Sequence, residues 1–529
     1  MKKNSFIEGA FIATLAIFIT KFIGIIYVIP FHHIIGTEGG ALYGYAYNIY
    51  NLFLIISAAG LPLAISKLTS EYNTLNKKAE KKFLYDISKK FIFAFSLLSF
   101  LICFMFSKQI ANLIIGDMTG GNTIEDVSYV IKAVSFAILI VPMLSISRGY
   151  LQGHKYMSAP ALSQIIEQVV RVIIVLLGSF LTLKVFNLEL RNAIGISVFA
   201  AAIGAFIAYF YLISKLKIIK TDNITDELTK NEKKTIIMKL IEYSIPFIII
   251  NIANSLYTSI DMILVIRGLN RLEYTAVDIE TISSVFTTWG IKINTIITSI
   301  ATGVALSLIP NITSERAQNN KDEINNKFNK TIATFFYVVL PLALFMSIFG
   351  TQIWQIFYGE NFFGQTIVKY SVIVAAIDAL YIMISNALQG LNKTKLIYLS
   401  VILGLAINAI LDIPLILLFN KLNIYPYYGA ITATLVGYLI SIFIPLIVLK
   451  KQEGFKYGNI LKDLPKLFIS YAILILFCLI YKYFIDNITN RIILVLLLTF
   501  IGIICLIIYY LLNKNIFSDI MNKIRRKRS

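Results

Sequence analysis

Lys21, Arg171 and Lys292 each fall inside a long apolar run. On insertion scales a charge at the centre of a bilayer costs at least ~2.5–3.5 kcal/mol, so such a side chain must face protein or water. Converging cations of this kind can hold an anion in a cavity shielded from bulk water. For Lys21 and Lys292 the plainer alternative is snorkelling or a structural ion pair. For Arg171 that alternative is stronger, because Glu167 precedes it by four residues and shares its helix face. A second constellation carries the opposite sign. Asp261, Asn408, Asp412 and Thr434 supply hard oxygen ligands suited to Na⁺, or carboxylates able to carry a proton. Asp412 is followed by Ile413 and Pro414, so its alternative role is to hydrogen-bond a kinked helix. Asp378 is a lesser candidate of the same type.

The elements that position these residues are membrane helices. A mean hydropathy of +0.77, with 57% hydrophobic and 15% charged residues, excludes a soluble domain of 529 residues. About 14 segments are long and apolar enough to cross a hydrocarbon core of ~30 Å, at 5–30, 41–66, 84–106, 127–148, 160–183, 190–214, 237–265, 280–309, 330–350, 366–388, 396–419, 428–449, 465–485 and 490–512. In lipid the backbone must satisfy its own hydrogen bonds, so these runs read as helices. The expected fold is an all-α polytopic membrane protein.

Internal duplication organises the helices. Residues 106–117, FSKQIANLIIGD, return as 349–360, FGTQIWQIFYGE, 243 positions later. Thr69-Ser70-Glu71 returns as Thr313-Ser314-Glu315 and Leu151-Gln152-Gly153 as Leu388-Gln389-Gly390, at offsets of 244 and 237. Three pairs in one order at nearly constant spacing predict two pseudo-symmetric six-helix lobes, the usual plan of secondary transporters. The expected domains are residues 1–220, 221–455, and 456–529, the last holding two extra helices and a basic tail. At the 237-residue offset Arg171 aligns with Asn408, and Asp412 follows one turn later, so the duplicated position has passed from cation to cation-ligand type. Gly60 and Pro62 in the second span and Gly303 and Pro310 in the eighth stand at matching points. They mark either interruptions where the lobes could hinge or static kinks.

When Lys and Arg near the ends of a span are counted with the adjoining connection, 35 of the 48 fall on one side of this topology, and the other 13 are divided between the opposite side and span interiors. The positive-inside rule therefore predicts cytoplasmic termini. The +19 net charge is mostly this bias, which leaves little for a nucleic-acid partner. The tail residues Lys523, Arg525, Arg526, Lys527 and Arg528 read as solvated topogenic charge, with contact to anionic lipid as the alternative. The first apolar run is too long for a signal peptide and carries Glu8 and Lys21, so it is expected to stay as the first span. Cys103, Cys478 and Cys505 lie inside spans, where simple packing is the default. No phosphate loop, H-E-x-x-H, paired CxxC or acidic D-x-D metal site occurs, and connections reach only about 25 residues, too short for a catalytic domain. The expectation is a transporter driven by an ion gradient or membrane potential, with no cofactor beyond Na⁺ or H⁺ as coupling ion.

Residues 20–69, TKFIGIIYVIPFHHIIGTEGGALYGYAYNIYNLFLIISAAGLPLAISKLT, and 148–173, RGYLQGHKYMSAPALSQIIEQVVRVI, carry a family resemblance. Both resemble the polysaccharide flippases of the YtgP and stage V sporulation protein B type, relatives of MurJ-type lipid II flippases. The resemblance implies 14 helices in two six-helix lobes, alternating access, and outward movement of a lipid-linked sugar pyrophosphate, lipid II in the first instance, by a monomer in the bacterial cytoplasmic membrane. On that reading Lys21, Lys292 and Arg171 meet the pyrophosphate. Tyr43, Tyr47, Asn48 and Asn51, at spacings that share a helix face, meet sugar hydroxyls or simply pack. Asp261 with Asn408, Asp412 and Thr434 resembles the family's sodium site. The alternatives are a multidrug or cation antiporter of the related extrusion type, expected to centre acidic residues in the first-lobe cavity, and a non-transporting scaffold for envelope or sporulation assembly.

Overall fold

A computed structural model describes residues 6–58, 60–217, 228–317 and 321–514. Among these the regular structure is entirely helical, and eleven helices are long and apolar enough to cross a membrane. The basic tail at Lys523 and Arg525 to Arg528 lies outside the described residues. Packing divides the chain into two compact units, Met1–Trp289 and Gly290–Ser529.

The first unit begins with α1 (Phe6–Ile26) and α2 (Val28–Ala58), where a connection was expected at residues 31–40. Pro30 sits in the first turn of α2, where its missing N–H has no partner to lose, so the helix continues past it. The chain bends instead at Gly36, whose φ of 70° is open to glycine. The second span is interrupted at Gly60, with φ 83°, and α3 (Leu61–Thr74) restarts with Pro62 in its first turn. Leu61, Ala64, Ile65, Leu68 and Tyr72 form the buried stripe of α3. They pack with Leu84 and Ile92 of α4 (Lys78–Met105), Ile146 and Tyr150 of α6 (Ile124–Gly153), and Ile236 and Leu240 of α9 (Lys230–Asn270).

α4 shows what a lipid solvent selects. Ser88, Ser96, Ser99 and Cys103 are buried, whereas Phe93, Phe95, Leu98 and Ile102 face outward. Small residues let helices approach, and large apolar ones meet acyl chains at no cost. Closer still is α6 on α3: a Cβ at Gly153 would stand 2.6 Å from the Ser66 carbonyl oxygen, and one at Gly149 would overlap that of Pro62. α7 (Ser158–Phe180) packs along α8 (Leu190–Leu216) and α1.

The duplicated segment folds alike in its two copies. α5 (Ser107–Ile115) and α14 (Gly350–Tyr358) are nine-residue helices, each preceded by a phenylalanine of φ −96° or −94° and closed by a positive-φ glycine, Gly116 at 62° and Gly359 at 85°. The Thr-Ser-Glu copies share a use as well: Glu71 accepts from Lys239 at 2.9 Å and Glu315 from Lys327 at 2.6 Å.

In the first unit α10 (Ala276–Ser284) leads into a π-helical turn, Val285–Trp289. In the second, α11 (Gly290–Ala317) continues as helix through Gly303, so the eighth span lacks the break found at Gly60; the side chain of Pro310 lies outside the described residues. α12 (Lys321–Thr334) and α13 (Leu340–Ile348) join through another π turn. α15 (Phe362–Gly390) packs on α11 and on α17 (Tyr427–Gln452), and α16 (Thr394–Lys421) lies along α17. α18 (Gly458–Ile485) packs on α13 and α19 (Arg491–Leu512).

Candidate functional site

In the first unit a chain of polar side chains links α6, α7 and α2. Arg148 donates through Nη2 to Glu167 Oε2 at 2.8 Å and through Nε to Ser163 Oγ at 2.8 Å. Glu167 uses its other oxygen for Arg171, at 3.3 Å across one helical turn. Arg171 also donates to the Tyr47 hydroxyl on α2. One carboxylate thus serves two guanidinium groups, and the cluster keeps a net charge of +1. The three side chains are 13, 12 and 21% exposed, so this charge is neither in bulk water nor sealed away.

An aromatic wall adjoins it. Tyr43 and Tyr47 stack with ring centroids 5.2 Å apart, and Tyr50 meets Tyr47 edge-on at 5.3 Å. Tyr43 and Tyr50 are buried, so the half-buried Tyr47 ring is the part of this stack that an amphipathic ligand could meet. Lys21 is half-buried on α1, the helix that lies along α7. Asn48 is committed elsewhere, because its Oδ1 accepts from Ser259 of α9 at 2.6 Å. Asn51 is exposed. Asp261, half-buried on α9, belongs to this unit.

The remaining predicted residues belong to the second unit. Lys292 is half-buried near the start of α11. Asn408 and Asp412 are fully buried on one face of α16, and Asn408 Nδ2 lies 3.4 Å from Thr434 Oγ1 of α17. Thr434 in turn donates to the Ala430 carbonyl at 3.0 Å. Asp378, half-buried on α15, accepts a hydrogen bond from Tyr438, one turn beyond Thr434. The Asn408, Asp412 and Thr434 oxygens are the hard donors an alkali cation prefers. Among the described residues no three His, Cys, Asp or Glu side chains gather as a transition metal would need.

Two groups escaped the sequence reading. Arg148 was visible in the R-G-Y-L-Q-G motif, but its partner Glu167 is 19 positions away on another helix. Glu280 is 1% exposed in the middle of α10 and accepts from the Asn122 backbone N–H, while Asn122 Nδ2 donates to the Glu38 carbonyl at 3.2 Å. Nothing in the periodicity separates Glu280 from an ordinary exposed helix acid such as Asp278 in the first turn.

Comparison with known proteins places this geometry in context. Residues 6–276 match the family model described as polysaccharide biosynthesis protein, and residues 246–413 match the MatE model. The chain is 31% identical over 481 residues to the lipid II flippase MurJ of Bacillus subtilis (strain 168), covering 89% of this chain and 87% of that one. It is 23% identical over 364 residues to stage V sporulation protein B of the same organism, covering 68% of each. Among solved structures, a lipid II flippase MurJ in an inward closed conformation aligns with a TM-score of 0.67 at 17% identity, over 95% of this chain and 99% of that one. An inward-facing multidrug resistance MATE transporter aligns with a TM-score of 0.63 at 14% identity, over 80% and 95%. These structures share the fold.

Proposed function

Because the chain belongs to the polysaccharide biosynthesis protein family and its relatives are membrane flippases and transporters, we propose that it moves a lipid-linked saccharide pyrophosphate, lipid II in the first instance, across the cytoplasmic membrane. The observation that carries this reading is the shared carboxylate: Arg148 and Arg171 both bond Glu167 and retain one uncompensated positive charge. A pyrophosphate is a concentrated anion that forked guanidinium groups bind through paired hydrogen bonds. The Tyr47 ring beside it, half-buried where Tyr43 and Tyr50 are buried, is the stacking surface left for a sugar. Lys21 of the first unit is a further cation for that headgroup, Lys292 of the second unit is a separate cationic candidate, and the charge bias supports cytoplasmic termini.

Asn408, Asp412 and Thr434 would hold a coupling cation in the second unit, where Na⁺ would supply a charge that weights one conformation over another. Protonation of Asp412 is the alternative use of the same residues. A cation-coupled multidrug exporter is the second functional reading, favoured by the MatE match over residues 246–413.

The deciding experiment switches off the essential lipid II flippase of a host strain and supplies this gene. Restored growth by wild type, lost in Arg148→Ala and Arg171→Ala at normal membrane abundance, is the expected result. No rescue by wild type, together with drug resistance conferred on the host, would replace the flippase reading with the exporter.

A further inference from the structure

Cys478 of α18 and Cys505 of α19 bring their Sγ atoms to 3.5 Å, and the two side chains are 2% and 8% exposed. Both thiols line an apolar cavity of about 380 Å³ between α13, α18 and α19, whose wall also includes Phe345, Leu474, Gly502 and Leu506. That volume lies within the ~300–1,000 Å³ of ordinary small-molecule sites. The third cysteine, Cys103, is buried on α4 of the other unit.

We propose that Cys478 and Cys505 form a redox modification site, a dithiol that closes to an interhelix disulfide when a lipid-soluble quinone in the apolar cavity accepts its electrons. The two S–H bonds break and one S–S bond forms. Two protons and two electrons pass to the quinone, which leaves as the quinol.

Three observations carry this. The sulfurs are already in van der Waals contact, so bond formation needs about 1.5 Å of further approach to reach a ~2.05 Å disulfide, within reach of small side-chain rotations. They sit on helices that already pack together, so the backbone need not travel. The cavity wall is apolar and belongs to membrane-length helices, which admits a quinone ring and excludes charged thiol oxidants. Closure would staple α18 to α19 and draw two wall residues together, reshaping the cavity.

The test uses the full chain in membranes. Tetramethylbenzoquinone is suitable because its substituted ring cannot add to thiols. After exposure the protein is denatured under alkylation and its free thiols are counted by mass. Wild type is expected to fall from three thiols to one, to yield a linked peptide pair containing Cys478 and Cys505, and to recover three with dithiothreitol. Cys103→Ser should fall from two to none, whereas Cys478→Ser and Cys505→Ser should keep both remaining thiols. Three thiols persisting in wild type would overturn the proposal even if a variant failed to fold. A linked pair that includes Cys103 would overturn it equally.

Discussion

Arg148 and Glu167 meet at 2.8 Å although they stand on separate helices, and the contact fixes what Arg171 can do. A carboxylate bonded only to Arg171 would neutralise it. Shared with Arg148, Glu167 orients both guanidinium groups and neutralises one charge of two. A pair that could have been purely structural becomes a cation with a fixed aspect.

Removing the carboxylate should therefore do more harm than its charge suggests. Glu167→Gln leaves two partly buried guanidinium groups in mutual repulsion, and breaking a buried pair costs about 3–5 kcal/mol. The partial exposure of these side chains places this site toward the lower figure. The expected outcome is a lowered Tm and reduced rescue, with rescue improved in the double variant Glu167→Gln/Arg148→Met. Thermal unfolding in detergent and complementation read the two effects.

Asn48 gives a contrasting prediction. Its Oδ1 accepts from Ser259, which also bonds the Ser255 carbonyl at 3.0 Å, so the serine keeps a partner when the amide is lost. Asn48→Ala should cost about 1 kcal/mol of stability and leave headgroup affinity unchanged. Tm and binding of a soluble pyrophosphate analogue separate the two quantities.

Much of this was legible beforehand, and the limit is one of distance along the chain. The Glu167–Arg171 contact follows from i, i+4 spacing, and the break at Gly60 follows from a glycine shortly before a proline inside an apolar run. The duplicated nine-residue helices follow from sequence identity. The sequence alone groups Thr434 with Asn408, but Ser259 on Asn48 spans 211 positions and Glu167 on Arg148 joins two helices; these depend on which helices pack, which hydropathy does not encode. Around Gly36 the sequence misleads the other way: His32, His33, Thr37, Glu38 and three glycines lower the hydropathy of residues 31–40 to that of a connection, whereas α2 runs through them with one bend.

Coupling in the second unit is tested at Asp412. Asp412→Asn keeps the shape and removes the charge, so any response of transport to Na⁺ or pH should vanish while binding of the anionic headgroup survives. Accessibility of reporter cysteines on each side of the membrane, with and without Na⁺ and across pH, measures this. A wild-type protein indifferent to both ions would make Asp412 a structural residue beside Pro414.

A pH effect is expected at the start of α9. Hydrogen bonds from the Thr229 backbone and hydroxyl hold the Glu232 carboxyl below its ordinary value. A depressed carboxylate stabilises the folded state above its unfolded value, and the benefit is lost as pH falls through the folded one. Hydrogen exchange in the first turn, corrected for intrinsic rates, should differ between wild type and Glu232→Gln at neutral pH and converge in acid.

Gly149→Ala should destabilise, against helix propensity, which favours alanine by about 1 kcal/mol. A methyl there meets the backbone of Pro62, which cannot rotate aside. A lower Tm than wild type is the expected reading.

That backbone contact also has a mechanical side. Gly149 and Gly153 press the spine of α6 onto Pro62 and Ser66, two points one turn apart on α3, so the two helices form a single stiff beam. The joint at Gly60 lies at the very end of that beam. Were the chain to flex there, the α2 arm that carries Tyr47 would move against Arg148, which is mounted on the beam. The two glycines of the R-G-Y-L-Q-G motif thus clamp α6 to α3, and any bending at Gly60 would have to be taken up by α2.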